Sequence, residues 1–356
     1  MSRKTIAKEI KRFARLNLSI DRWNTQFGFQ VVLLLLLAAS WSASTINARA
    51  EVPNEDTVYL RFQYQKLREM EQEFYRQNKH ILKKLRWDRR KRIFLVADET
   101  YDAYYGKKKH KWVCSYKPKK GATGSFKFLT FALAAPGQWR RVIRCVPITS
   151  KQNITNLLVE TALAVRKEIK YDAFLLDRGF YVKEIAFSLD KAGIPFLIRA
   201  EIRGKIKKKL SRILHYKKCM HWQQEGYNPP TLWLGWKKQG SKEYGWGFIT
   251  NIKRLSWARC LIWYKQRWNI ENVFKATDGI QFKTATSKVK PRLFAVLLSF
   301  LLYNGWQQQK YTLKADISLA VFLEETINEG LEIYLKKGTP FKIHVPGWLL
   351  TMKEQM

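Results

Sequence analysis

Apolar and polar positions change texture several times along the chain. Residues 1 to about 88 read as helical: Arg61 to Leu85 lacks Gly and Pro and is rich in helix formers. Just before it, Val52-Pro53-Asn54-Glu55-Asp56-Thr57 reads as a helix stop and a new start, with Asn54 or Asp56 able to cap. Arg92 to Ala97 is then a near-continuous apolar run ending in Asp98, which predicts a buried strand. Phe126 to Ala134 and Trp139 to Ile148 predict two more strands, the first closed by Pro136-Gly137. Asn156 to Lys170 keeps a helical period, and Ala173-Phe174-Leu175-Leu176 is a short apolar strand ending in Asp177. A helix over Val182 to Ala192 and a strand over Pro195 to Arg199 follow. This order predicts an α/β core with a mixed sheet.

Residues 201 to about 256 differ. A lysine run, Arg203 to Arg212, precedes Trp222, Trp233, Trp236 and Trp246 set among Gly, Lys and Thr, the pattern of an inserted β-rich segment. Helices are expected over Leu261 to Lys275 and over Arg292 to Trp306. The expected organisation is a helical domain at 1–88, an α/β core in two parts at 89–200 and 261–310, a β-rich insertion at 201–260 and a tail at 311–356. Trp23 to Ala48 carries no charge, with Val31 to Ala39 at its centre. A bilayer span needs about 18 largely apolar residues, so this shorter run reads as a core helix and not as a membrane anchor. The basic stretch Lys4 to Arg15 is not followed by a secretory signal.

Composition adds a partner class. The 356 residues hold 66 Lys+Arg against 29 Asp+Glu, a formal charge of +37, yet 46% are hydrophobic. Such apolar content excludes a disordered basic tail, and such charge calls for a polyanion: nucleic acid first, an anionic membrane surface second. Cys114, Cys145, Cys219 and Cys260 lie far apart, which fits a reducing interior and neither a disulfide framework nor a zinc ribbon. Cys219-x-His221 with His215 lacks a second ligand pair at zinc spacing, and no Gly-rich phosphate loop implies a nucleotide cofactor. The Lys107 to Lys120 and Arg203 to Arg212 runs suit phosphate contacts.

In a chain this poor in acids, the placement of carboxylates is informative. Asp98 and Asp177 each close an apolar strand, at the sheet edge where functional groups gather. Two such acids on neighbouring strands repel, and a divalent cation removes that penalty. On a helical wheel Tyr264, Arg267, Lys275 and Asp278 fall within about 40° of Glu271. Trp263, Ile270, Val273 and Phe274 form the apolar stripe beside them. A carboxylate beside Arg and Lys suits metal-dependent chemistry on phosphate.

Together these residues resemble insertion-sequence transposases with a DDE catalytic site, in the group carrying Tyr-x2-Arg-x3-Glu-x6-Lys. Tyr264, Arg267 and Glu271 match that spacing; Asp278 stands where the family has Lys, with Lys275 one turn earlier on the same face. Asp177 and Tyr181 match the family's Asp-x3-Tyr/Phe, with Leu176 in place of the usual small residue, and Asp98-Glu99-Thr100 matches the first acid. The likeness spans roughly residues 90 to 310.

The resemblance implies an RNase H-like fold in which Asp98, Asp177 and Glu271 hold two Mg²⁺ ions, with Mn²⁺ as a substitute. It implies cleavage at transposon ends and joining of the free 3′-hydroxyl to target DNA. Double-stranded DNA is the implied partner, bound by a homodimer in the nucleoid of a prokaryotic cytoplasm, without membrane or nucleotide cofactor. Tyr264, Arg267 and Lys275 would contact DNA near the scissile phosphate. Trp233, Trp236 and Trp246 are candidates to stack on a base flipped from the duplex. The same residues also admit a nuclease that does not join strands, or a basic DNA-binding protein without catalysis, which Asp278 in the Lys position keeps open.

Overall fold

A computed structural model describes residues 66–84 and 92–326, apart from 108–109, 136–138, 150, 240, 282–283, 285, 314–316 and 324. They fall into two compact units, 74–276 and 66–73 with 277–326. Within the helical stretch expected at 1–88, α1 spans Leu67–Lys84; the rest, with Val31 to Ala39, lies outside the described residues, as does most of the tail. No helix among the described residues is long and apolar enough to cross a membrane.

The strands are β1 (Phe94–Tyr104), β2 (Val113–Cys114), β3 (Gly124–Ala135) and β4 (Trp139–Ile148). After α2 (Thr155–Glu168) come β5 (Ala173–Leu176), a 3₁₀ turn at Arg178–Phe180, α3 (Lys183–Lys191) and β6 (Phe196–Arg199). Then follow α4 (Gly204–Leu210), β7 (Tyr216–Met220), β8 (Thr231–Gln239), β9 (Lys242–Thr250), α5 (Trp257–Lys265), α6 (Trp268–Asp278) and α7 (Val289–Leu313). All nine strands share one sheet, ordered β2-β3-β1-β5-β6-β9-β8-β7, with β4 on β3. β1, β3 and β4 pair antiparallel, whereas β1, β5 and β6 run parallel, with α2 joining β4 to β5 and α3 joining β5 to β6. This is the mixed sheet with flanking helices that the sequence led us to expect.

One expectation is revised and one is sharpened. β1 does not stop at Asp98; it runs on to Tyr104, because β3 pairs with it along its whole length. The inserted strands do not stand apart: β9 pairs antiparallel with β6, so the hairpins extend the central sheet. The lysine run forms α4, whose Leu210 is buried while Lys207, Lys208 and Lys209 are exposed.

The register of β1 and β5 is set at their entrance. The Asp172 carboxylate accepts from the Ile93 amide at 2.9 Å and from Arg92 at 2.8 Å, and the Asp172 amide donates to the Ile93 carbonyl at 2.7 Å. One sheet face then carries Phe94 and Val96 of β1, Ala173 and Leu175 of β5 and Leu197 of β6. These pack with Trp257, Cys260, Trp263 and Tyr264 of α5 and Ile270 of α6 in one buried cluster. In the second unit, the buried Arg292 of α7 donates to the carbonyls of Thr286 and Thr284 at 2.7 and 3.0 Å.

Gly235 of β8 lets Trp257 close onto the sheet: a Cβ there would sit 2.8 Å from both the His215 carbonyl oxygen and the Trp257 ring. Gly235→Ala is expected to destabilise the protein by about 1–3 kcal/mol through overpacking against backbone. Chemical denaturation checks this; an unchanged midpoint would mean that the Trp257 seat yields freely.

Candidate active site

Parallel pairing of β1 with β5 ends at Ala97↔Leu176. Asp98 and Asp177 are the next residue on each strand, so they are neighbours across the ladder. Side chains alternate along a strand, so Asp98 shares a face with Val96, and Asp177 with Leu175. That face carries α5 and α6. Glu99 points to the other face, where it accepts from Tyr101 at 2.6 Å and pairs with Lys127 at 2.6 Å.

The third acid arrives with the helices. The single helix expected over Leu261 to Lys275 is two: α5 ends at Lys265 and α6 begins at Trp268. The Gln266 and Arg267 amides bond back only three residues, to Trp263 and Tyr264, both at 2.9 Å. The tight turn keeps Tyr264, Arg267 and Glu271 on the side facing the strand ends. Tyr264 donates its hydroxyl to Asp177 Oδ1 at 2.6 Å. Arg267 donates from Nη1 to Asp98 Oδ2 at 2.8 Å and from Nη2 to Glu271 Oε1, and its Nε lies 3.9 Å from Asp177 Oδ1. The three acids thus converge on one guanidinium whose side chain is 5% exposed.

Burial and charge act oppositely here. Burial pushes Asp98 up to about 6, with Asp177 and Glu271 adding to it, although Arg267 and the Glu99 amide pull it down. Asp177 is buried too, but the Tyr264 hydroxyl, Arg267, the Arg178 amide and Arg199 outweigh that and hold it below the usual carboxylate range. Arg267 is held above its ordinary value because Tyr264 and the three acids outweigh its burial.

The remaining candidates separate by exposure. Lys275 is exposed on α6, as is Asp278 at its end. Trp233 is buried in the core cluster, so its ring faces do not lie open to a base. Trp236 is half-buried and donates from Nε1 to the Ile213 carbonyl at 2.8 Å. Trp246 is half-buried beside the acids: its ring meets Tyr264 edge-on at 5.9 Å, with Arg199 at 4.3 Å and Lys237 at 5.2 Å. Arg199 was not singled out from sequence. Its signal was register, since Leu176 pairs with Ile198 and so Asp177 and Arg199 follow one another on adjacent strands. Tyr181 of the Asp-x3-Tyr motif stacks on Trp222 at 4.6 Å and hydrogen-bonds to His221. Burial, with Lys209 nearby, lowers His221 to about 4, so its imidazole is a neutral packing group at neutral pH.

The family whose description is transposase DDE domain matches residues 90–303, the span that holds all three acids. This chain belongs to the DDE transposases. It is an enzyme of DNA transposition, and enzymes of this family use divalent metal ions. No curated protein matches the sequence. Among solved structures, the transposase is similar to a piggyBac transposase determined by cryo-EM as a synaptic complex with hairpin DNA. The TM-score is 0.60 at 12% identity, with 98% of this chain and 81% of that chain covered. At that identity the likeness concerns the fold.

Among the described residues, no three acid, His or Cys groups already form a cation-binding cluster; the acids of the transposase meet through Arg267. Their chemistry nonetheless fits Mg²⁺, because all three are carboxylates and offer only hard oxygen donors.

Asp98 binds its proton more tightly folded than unfolded. Protonation therefore adds stability as pH falls from about 6 towards 3.8, and that contribution is gone above about 6. Asp177 has the opposite sign: its contribution is present at neutral pH and is lost as pH falls through its lowered value. With divalent cations chelated, Asp98→Asn is expected to gain stability relative to wild type as pH rises from about 4 to about 7. Denaturant melts across that range check this, and a pH-independent difference would contradict a buried Asp98 with a raised value.

Proposed function

We propose that Asp98, Asp177 and Glu271 are the catalytic acids of this transposase, binding two Mg²⁺ ions, or Mn²⁺ in their place. The observation that carries this reading is the convergence of all three on the Arg267 guanidinium, from two parallel strands and a helix remote in sequence. Bound there, the ions would activate water or a 3′-hydroxyl and stabilise the leaving oxygen of an in-line displacement.

The chain's own groups prepare that chemistry. Tyr264 fixes the Asp177 carboxylate, and with Arg267 it keeps that acid ionised and ready as a ligand. Asp98 must lose its proton to act as one, so divalent cations and near-neutral pH favour the same state. Lys275 is free in solvent to meet a phosphate, and Trp246, flanked by Arg199 and Lys237, is the insertion tryptophan best placed to stack on a base near the scissile bond.

The substrate is double-stranded DNA: transposon ends, cut and then joined through the 3′-hydroxyl to target. The charge of +37 and the likeness to a transposase solved with hairpin DNA support that partner. Synapsis of two ends calls for two active sites and hence a homodimer on DNA, acting on the nucleoid in the cytoplasm. Residues 1–88 serve as the end-binding domain.

Asp98→Asn, Asp177→Asn and Glu271→Gln are each expected to slow Mg²⁺-dependent nicking of the element's terminal DNA by more than about a hundredfold, since even outer partners of metal ligands reach that scale. DNA affinity should stay within a few-fold. Near-wild-type nicking in any one of them removes that residue from the site. Binding should also weaken steeply with salt, with a log–log slope of about −0.9 for each phosphate neutralised. Filter binding at several salt concentrations measures it, and a flat response would exclude a polyanion partner.

A further inference from the structure

Arg267 carries the phosphate-contacting position of the motif, yet it is among the most enclosed charged side chains of the site, 5% exposed. Its Nη1 lies 2.8 Å from Asp98 Oδ2, and its Nη2 donates to Glu271 Oε1. Those are oxygens for which a divalent cation would compete. Mg²⁺ needs its oxygens at about 2.0–2.1 Å. It cannot approach an oxygen so closely on the side where a guanidinium N–H already points. The fit of Arg267 is also incomplete: Nε is buried without a hydrogen-bond partner and stands 3.9 Å from Asp177, whose Oδ1 is taken by Tyr264. Counting Arg199 beside Asp177, two positive charges face three carboxylates, so the cluster retains unmatched negative charge that favours a cation of higher valence.

Resting on the reading that these acids are metal ligands, we propose that Arg267 is an exchangeable internal cation. It holds the three acids together before metal arrives, gives way when a divalent ion binds them, and is thereby released to meet the DNA phosphate. The order has a physical reason. Without Arg267, three carboxylates gathered at one point would repel one another and swell the site. With it fixed in place permanently, the metal ligands would stay occupied. A guanidinium freed at that point is a planar donor suited to phosphate. Arg267 is therefore a positioning residue in the metal-free protein and a substrate-contacting one only after exchange.

The test uses the full chain without DNA and Mn²⁺ as the probe. Binding is followed by calorimetry and by electron paramagnetic resonance. Arg267→Gln is expected to bind Mn²⁺ at least about tenfold more tightly than wild type, because no ion pair must be broken first. Its melting temperature in chelator should fall, and Mn²⁺ should raise it by more than it raises the wild type. Arg267→Lys, which keeps the charge but lacks the planar fork of donors, should lie between them. Mn²⁺ binding by Arg267→Gln that is equal to or weaker than wild type would overturn the exchange.

Wild-type protein gives a readout that needs no variant. In ¹⁵N-arginine spectra, one Nε–H protected from solvent should lose its protection as Mg²⁺ saturates, and a signal that stays protected would overturn the proposal. Asp98→Asn separates the two layers. Mn²⁺ affinity unchanged in that variant would overturn the metal-ligand reading itself, and the exchange with it. Affinity lost in Asp98→Asn but not gained in Arg267→Gln would overturn the exchange alone.

Discussion

The site depends on where one parallel ladder stops. β1 and β5 pair from Phe94↔Ala173 to Ala97↔Leu176, and the next residue on each is an aspartate. The reciprocal bonding between Asp172 and Ile93 at the strand entrance fixes that register. A slip of one residue would turn one aspartate to the opposite sheet face, because side chains alternate. The same alternation buries Phe94, Val96 and Leu175 against α5 and α6. Core packing and acid placement are therefore one constraint: the apolar residues cannot find their cluster unless the two carboxylates meet.

Electrostatics then decides what the meeting is like. Burial alone would leave Asp98 and Asp177 reluctant to ionise, and the two respond differently because their partners differ. Asp177 has a tyrosine hydroxyl and two arginines nearby and remains a carboxylate. Asp98 relies on Arg267 and one backbone amide and is pushed up to about 6. The break between α5 and α6 leaves that meeting intact. Tyr264, Arg267 and Glu271 would share one side of a continuous helix, and the tight turn at Gln266 and Arg267 keeps them on one side, facing the strand ends.

The insertion shows a different economy. A β-rich segment between the second and third acids could have formed a separate module, but its strands add to the edge left open by β6. That pairing satisfies the backbone of β6 and carries Trp246 to within an edge-on contact of Tyr264. Trp233, paired with Phe248 on the same sheet face, lies deeper along it and is buried in the core cluster. Aromatic content alone could not separate these two residues; their positions along the paired strands did.

Local pattern by itself determined the strands Trp139–Ile148 and Ala173–Leu176 to the residue, the helices around Thr155 and Lys183, and the motif that names the family. These depend on apolar periodicity and on short-range spacing, which the chain carries in its order of residues. Tertiary structure alone decided that β1 continues past Asp98, since only β3 on its far side prolongs it. It alone split the expected helix at Arg267, joined the inserted hairpins to the central sheet and placed Arg199 beside Asp177. Each of those outcomes rests on a partner distant in sequence, and no local window holds the hydrogen bond or the charge that the partner supplies.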